Sequence, residues 1–357
     1  MIKPGKKTLV LAAVYLILIF PAYFLFVDLF MVRSYRSFSW HPMQFLLEEI
    51  PSPKVIVVSG SNSDYAFNAI TLENHFGVPV GLHAYNATYP LRLRVYTVDK
   101  YVSKGDLLIL PLEWHFYMDD EEYGSFAQEH FADGKYNHLY DELPLHERLD
   151  FVFRRLTLGK FAYGVQRWNA VYHFDGNREQ ELKFIEKKLL ENRGGQPFEY
   201  RDINRPEYPD YCANFLLRRQ LSEGFGFSNR FLKDLELLEK LKDKGVDVIF
   251  TYPTMIENTS APCFDQKQTA ILKDYADKIK AVVQEKGFDF IGKLEESIYP
   301  MEFYADSPYH LTAEGMNLHT SRFIKRLTES GYKARGEGAD FSTKLDQALK
   351  RHRTNGR

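Results

Sequence analysis

Two stretches of this chain switch repeatedly between short β-branched runs and longer segments with helical spacing, and this alternation limits the folds open to it. Lys54-Val-Ile-Val-Val-Ser-Gly60 reads as a buried strand stopped by small polar residues. A helical segment from Asp64 to Phe76 ends at Gly77, an apolar run follows at Val78 to Leu82, and Asp106-Leu-Leu-Ile-Leu-Pro-Leu-Glu113 supplies a third strand. The pattern resumes toward the carboxyl end. Ser228 has the chemistry of an N-cap for a helix in which Phe231, Leu235, Leu238 and Leu241 recur on one face. Gly245 closes that helix, Val246-Asp-Val-Ile-Phe-Thr-Tyr-Pro253 is the next strand, Gln266 to Lys286 a second amphipathic helix, and Phe288-Asp-Phe-Ile291 a last short strand. Such an order predicts an α/β fold, a doubly wound parallel sheet with helices on both faces.

Between the two halves, residues 118–227 lack the alternation. They are read as one long insertion over the carboxyl edge of the sheet, where open α/β folds bind ligands, with a separate small domain as the alternative. The tail from Gly336 to Arg357 is polar and charged, which predicts a disordered or frayed end. Aromatic residues make up 15% of the chain; most are expected in the core, and a sugar-stacking surface in the insertion is the second reading.

At the amino end, Thr8 to Val32 is apolar except for Asp28 and long enough to cross a hydrocarbon layer of about 30 Å as a helix. Lys3, Lys6 and Lys7 precede it, which favours a cytoplasmic start and an extracytoplasmic main domain. A cleaved signal peptide would have a shorter apolar run and an A-x-A-like site, so an uncleaved anchor over residues 1–33 is expected. Lys+Arg 46 against Asp+Glu 48 leaves a formal charge of -2, which argues against a nucleic-acid partner. Cys212 and Cys263 lack CxxC spacing; outside the cytoplasm they could pair, and two buried thiols is the alternative.

Chemistry is suggested in two places. In Ser59-Gly60-Ser61-Asn62-Ser63, a hydroxyl sits just past a buried strand and before a helix, where N–H groups and the positive dipole end can face a developing oxyanion. Small polar residues at strand ends are also ordinary turn formers and caps. In Asp306-Ser-Pro-Tyr-His310-Leu-Thr312, a carboxylate four residues before a histidine can hold Nδ1–H and leave Nε2 as a base.

Together, VVSGSNSDYAF, VPVGLHA, KGDLLILPLEW and DSPYHLTAEG resemble the SGNH (GDSL-like) hydrolase superfamily, and within it a membrane-anchored bacterial branch of the cell envelope. The resemblance covers Lys54 to about Tyr117 and Val246 to about Leu327. It implies a three-layer, flavodoxin-like sheet, with Ser61 as nucleophile, Ser63 as the alternative, and Asp306 and His310 completing the centre. It also implies an esterase or O-acetyltransferase in the periplasm, using no cofactor and acting on a cell-envelope polysaccharide such as an exopolysaccharide. Some relatives work beside a multi-pass membrane O-acyltransferase.

Three departures from the family pattern bear on the oxyanion and the base. Three residues, not two, separate Asp306 from His310. The second-block glycine has two candidates, Gly81 or Ala84 supplying the backbone N–H. Glu113 stands where an asparagine usually donates to the oxyanion; it could be protonated by burial, serve another purpose, or mark a weakly active centre. Asn86 is a candidate replacement donor, or simply a turn residue. His115, Asp119 and Asp120 lack metal-ligand spacing, and no phosphate-binding glycine loop occurs, so neither metal nor nucleotide is expected.

Overall fold

The computed structural model describes residues 5–34, 42–86, 89–118, 128, 131, 137–172, 178–200, 226–257, 264–336 and 341–355. Cys212 and Cys263 lie outside these residues. The chain divides into two compact units, Met1–Trp40 with Tyr123–Gly176, and His41–Glu122 with Asn177–Arg357.

The second unit is a mixed α/β body around five parallel strands: β1 (Val55–Ser59), β2 (Val80–Ala84), β3 (Leu107–Leu110), β4 (Asp247–Thr251) and β6 (Asp289–Ile291), in the order β2-β1-β3-β4-β6. Val57 pairs with Leu82 on one side and Ile109 on the other, and Ile109 pairs with Ile249. β1 and β3 are buried along their whole length, which is why they read as continuous apolar runs; a sheet covered on both faces leaves no side for polar alternation. The chain leaves β1 toward β2 and leaves β3 toward β4. The carboxyl ends of β1 and β3 therefore flank the point where the winding reverses, the place at which such sheets open a crevice. A separate pair, β5 (Met255–Ile256) with β7 (Ile298–Tyr299), is also parallel.

Several elements differ from the sequence expectation. The helix predicted over Asp64–Phe76 is two helices, Ser61–Ala66 and Ala69–Phe76. Asn68 breaks it by turning extended and capping the second piece, its side chain accepting from Thr71 N at 3.0 Å. The tail expected to be disordered carries a helix, Phe341–Asn355, with Phe341, Leu345, Ala348 and Leu349 buried. That stripe is narrow and set among charges, and its cover comes from elsewhere: Arg193 lies over the Phe341 ring and donates to Ser342 Oγ at 2.7 Å.

Residues 118–227 are shared between the two units. Tyr123–Gly176 belongs to the first unit, whereas the helix Arg178–Asn192 and the turn after it are built into the second. There Arg193 O accepts from Leu82 N, and Asn192 spans the break between the two short helices, accepting from Ala69 N and donating to Phe67 O. Arg193 takes a left-handed φ of 48° and its buried guanidinium pairs with Glu73 at 3.1 Å.

In the first unit the expected anchor is a run of three consecutive helical segments, Lys6–Val14, a π-helical turn Tyr15–Ile19, and Phe20–Ser34. Pro21 explains the interruption: its ring and missing N–H are incompatible with the regular bond to the residue four back, and a wider turn just upstream absorbs the misfit. Among the described residues no single helix is long and apolar enough to cross a membrane. Phe131, Tyr140 and Phe151, aromatics of the middle region, are buried and pack edge to face on one another at 5.3–5.8 Å, so they serve as core and not as a stacking surface.

Candidate active site

The site is assembled where β1 and β3 end. Gly60 closes β1, and Ser61 is the first residue of the helix Ser61–Ala66. A Cβ at Gly60 would lie 2.1 Å from Glu113 Oε1, so a side chain there would push the carboxylate off Asn62 N. The hydroxyl of Ser61 stands 2.9 Å from His310 Nε2, and His310 Nδ1 stands 2.7 Å from Asp306 Oδ1. With Nδ1–H donating to the carboxylate, Nε2 is left to accept the serine proton. The hydrogen bond from His310 holds the Asp306 carboxyl below its ordinary range, against the opposing pull of partial burial. Tyr65, one turn along the helix from Ser61, stacks on the imidazole with ring centres 3.9 Å apart and planes within 9°.

The extra residue between Asp306 and His310 is accommodated by a closed loop. Tyr304 and Leu311 form an antiparallel bridge, Ala305 N donates to His310 O at 2.8 Å, and His310 N donates to Ser307 O at 3.2 Å. The loop then enters the helix Ala313–Glu329, where Thr312 Oγ1 caps Gly315 N. Folding back in this way returns Asp306 to the imidazole despite the longer spacing.

A buried layer lies beneath this row. Ser59 Oγ and Asn62 Nδ2 both donate to Pro111 O, at 2.8 and 2.6 Å, tying the serine turn to the end of β3. Glu113 Oε1 accepts from Asn62 N at 3.1 Å, and its Oε2 lies 3.6 Å from His115 Nδ1. Arg94, fully buried, donates from Nη1 to Ser59 O at 2.6 Å and from Nη2 to Asn86 O at 2.7 Å, with Tyr85 O and Tyr89 O each at 3.3 Å. Burial pushes its guanidinium down to about 10, while the Glu113 carboxylate pulls the other way. His83, at the β2 position level with Val58, is buried with neither ring nitrogen bonded among the described residues; burial, then the charge of Arg94, pushes it down to about 3.

The residues singled out from sequence fare unequally. Ser61, His310 and Asp306 are brought into one hydrogen-bonded line. Ser63, the alternative nucleophile, is buried and donates to Gly60 O at 2.9 Å, so its hydroxyl is spent on the turn. Gly81 is not at the site: it pairs with Ile56, mid-strand, and packs against Ile50 and Leu46. Ala84, paired with Ser59, is the β2 residue level with the serine turn. Asn86 is exposed, its carbonyl fixed by Arg94. Glu113 is at the site, as an acceptor from the serine helix. Asp119 and Asp120 lie outside the described residues.

Arg94, Tyr65 and Asn62 were not anticipated. One signal was present: Arg92 and Arg94 alternate with apolar residues in Leu91-Arg-Leu-Arg-Val95, and both are buried, Arg92 against Asp234 at 3.3 Å. The chain matches no protein-family model, and no curated protein matches it. What can be said of the class therefore rests on the molecule itself: a parallel α/β sheet carrying a serine, a histidine and an aspartate in line at its carboxyl edge.

Proposed function

We propose that this chain is a membrane-anchored, extracytoplasmic serine acyl-ester hydrolase or O-acyltransferase of the SGNH type, acting on a glycan of the cell envelope. The observation that carries the reading is the line from Ser61 Oγ through His310 to Asp306, at 2.9 and 2.7 Å. In this scheme Ser61 Oγ bonds the ester carbonyl carbon while its proton passes to His310 Nε2. Collapse breaks the carbon–oxygen bond to the alcohol, which leaves with that proton, and the acyl group stays on Ser61. Water activated by His310 then yields the acid, or a sugar hydroxyl yields a new ester. The N–H of Ser61, at the first position of its helix, is the donor proposed for the oxyanion. The glycan, the periplasmic location and a multi-pass membrane O-acyltransferase as partner rest on the sequence resemblance; the exposed apolar side chains between Val10 and Ile19 support the membrane.

A second reading, a non-catalytic glycan-binding or scaffold protein of a polysaccharide-modifying complex, is favoured by one contact. Glu113 already occupies Asn62 N–H, a donor that an oxyanion beside Ser61 could otherwise use. Incubating the folded chain with a serine-reactive phosphonate separates the two. Covalent labelling at Ser61, lost in Ser61→Ala and His310→Ala, is the expected result; absence of labelling across pH in a folded protein favours the scaffold.

A further inference from the structure

The apolar run of the first unit changes its surroundings halfway along. From Val10 to Ile19 its described side chains stand open, Leu11 at 69% and Ile17 at 70%. From Phe20 onward it is clasped by a second segment of the chain. Phe153 stacks on Phe20 at 3.8 Å and lies 6.0 Å from Phe24, and Phe161 meets Phe26 and Phe30 edge-on at 6.4 and 5.2 Å. Phe24 and Val27 are buried there. Asp28, the charge in the run, is answered within this clasp: Tyr140 donates to it at 2.9 Å and Arg148 lies 3.6 Å away.

Lengths decide what must cover the outside of the clasp. The open stretch, Thr8 to Ile19, rises only ~18 Å at 1.5 Å per residue, short of a hydrocarbon layer about 30 Å thick. A bilayer surrounding it must extend past Phe20, alongside the clasping segment. That segment is itself partly apolar outside: Leu158 is 70% exposed and Tyr163 is 45% exposed, as Leu25, Phe26 and Leu29 of the run are exposed, and Phe161 between them meets Phe26. Lys160 lies between Leu158 and Tyr163, and on the turn before them Arg154 and Arg155 pair with Asp150 at 3.0 and 3.3 Å; long lysine and arginine stems can reach headgroups. A tyrosine and paired arginines beside exposed leucines suit the membrane boundary.

We infer that residues 145–172 form an interfacial collar, seated in the bilayer boundary farther from Lys6 and Lys7, so that lipid and not water covers Leu158 and Tyr163. This rests on the membrane-anchor reading above and adds a second contact to it. To test it, the full chain carrying Cys212→Ser and Cys263→Ser is placed in phosphatidylcholine–phosphatidylglycerol vesicles with one polarity-sensitive fluorophore at Ile17→Cys, Leu158→Cys or Lys278→Cys. The expected result is a blue-shifted signal, lost to lipid-borne quenchers, at 17 and 158, and a water-like, unquenched signal at 278. A water-like 158 with a quenched 17 overturns the collar and leaves the anchor standing; a water-like 17 overturns the anchor itself and the collar with it. Tyr163→Cys repeats the measurement should the variant at 158 fail to fold.

Discussion

The outer row of the site and the layer beneath it are built on opposite physical terms. Ser61 and His310 are half-buried and Asp306 is exposed, and each is joined to the next by a hydrogen bond. Beneath them Arg94, Glu113 and His83 are buried, carrying charge or, in His83, ring nitrogens with no hydrogen-bond partner among the described residues. Proton movement needs groups that can be approached and can change charge cheaply; holding a serine turn in one place needs groups that cannot move. On the proposed reading the row carries the chemistry and the layer the stiffness, and either level can be broken.

The largest expected effect is on the row. Ser61→Ala or His310→Ala should lower ester turnover by a factor on the order of 10⁴ or more while shifting the thermal unfolding midpoint by no more than about 2 °C. Retained phosphonate labelling in either variant would remove the row from the chemistry. In the layer, Arg94→Met strips four backbone carbonyls and Glu113 of their buried partner and should cost about 3–5 kcal/mol in urea unfolding. Arg94→Lys, which keeps the charge without the fork, should recover part of that. Full stability in Arg94→Met would contradict the proposed stiffness.

His83 supplies a pH test with a definite sign. Its folded value near 3 lies below the ordinary 6.5, so the unfolded chain takes up the proton first as pH falls. Stability should decline from about pH 6.5 down to about 3 by at most ~1.4 kcal/mol per pH unit from this group. His83→Leu should flatten that slope, and equal slopes for both proteins would refute the assignment. Smaller still, Glu113→Gln keeps an acceptor for Asn62 N and adds a donor, and should raise turnover by about tenfold to a hundredfold. A fall would show that the carboxylate matters more as a clasp on the turn than as an obstacle to the oxyanion. Least of all, Tyr65→Leu should cost less than about tenfold in kcat, with Tyr65→Phe unchanged, because a stacked ring orients the imidazole without touching the proton.

The five sheet strands were readable because strands covered on both faces must be apolar throughout, and runs such as Val55–Val58 and Leu107–Leu110 have no other use for that composition. Ser61, with Ser63 as its alternative, and the Asp306/His310 pair were each ambiguous alone and became readable through their joint layout, one serine after the first strand and one Asp/His pair before the last long helix of the α/β pattern. The tail helix was missed because its buried stripe is narrow and its partner, Arg193, is distant in sequence. Arg94 was missed for a related reason: its partners are main-chain carbonyls, which carry no residue signature.

By itself, then, the order of residues indicated a parallel α/β sheet, since local periodicity and composition suffice for that, while Ser61, with Ser63 as its alternative, and the Asp306/His310 pair were picked out by resemblance to a family pattern. Tertiary structure alone decided that a loop one residue longer still returns Asp306 to His310, that Ser63 and Gly81 serve the turn and the strand, and that Glu113 faces the serine helix over a buried arginine. Those outcomes depend on distances between segments far apart in sequence, and only the folded chain brings the segments together.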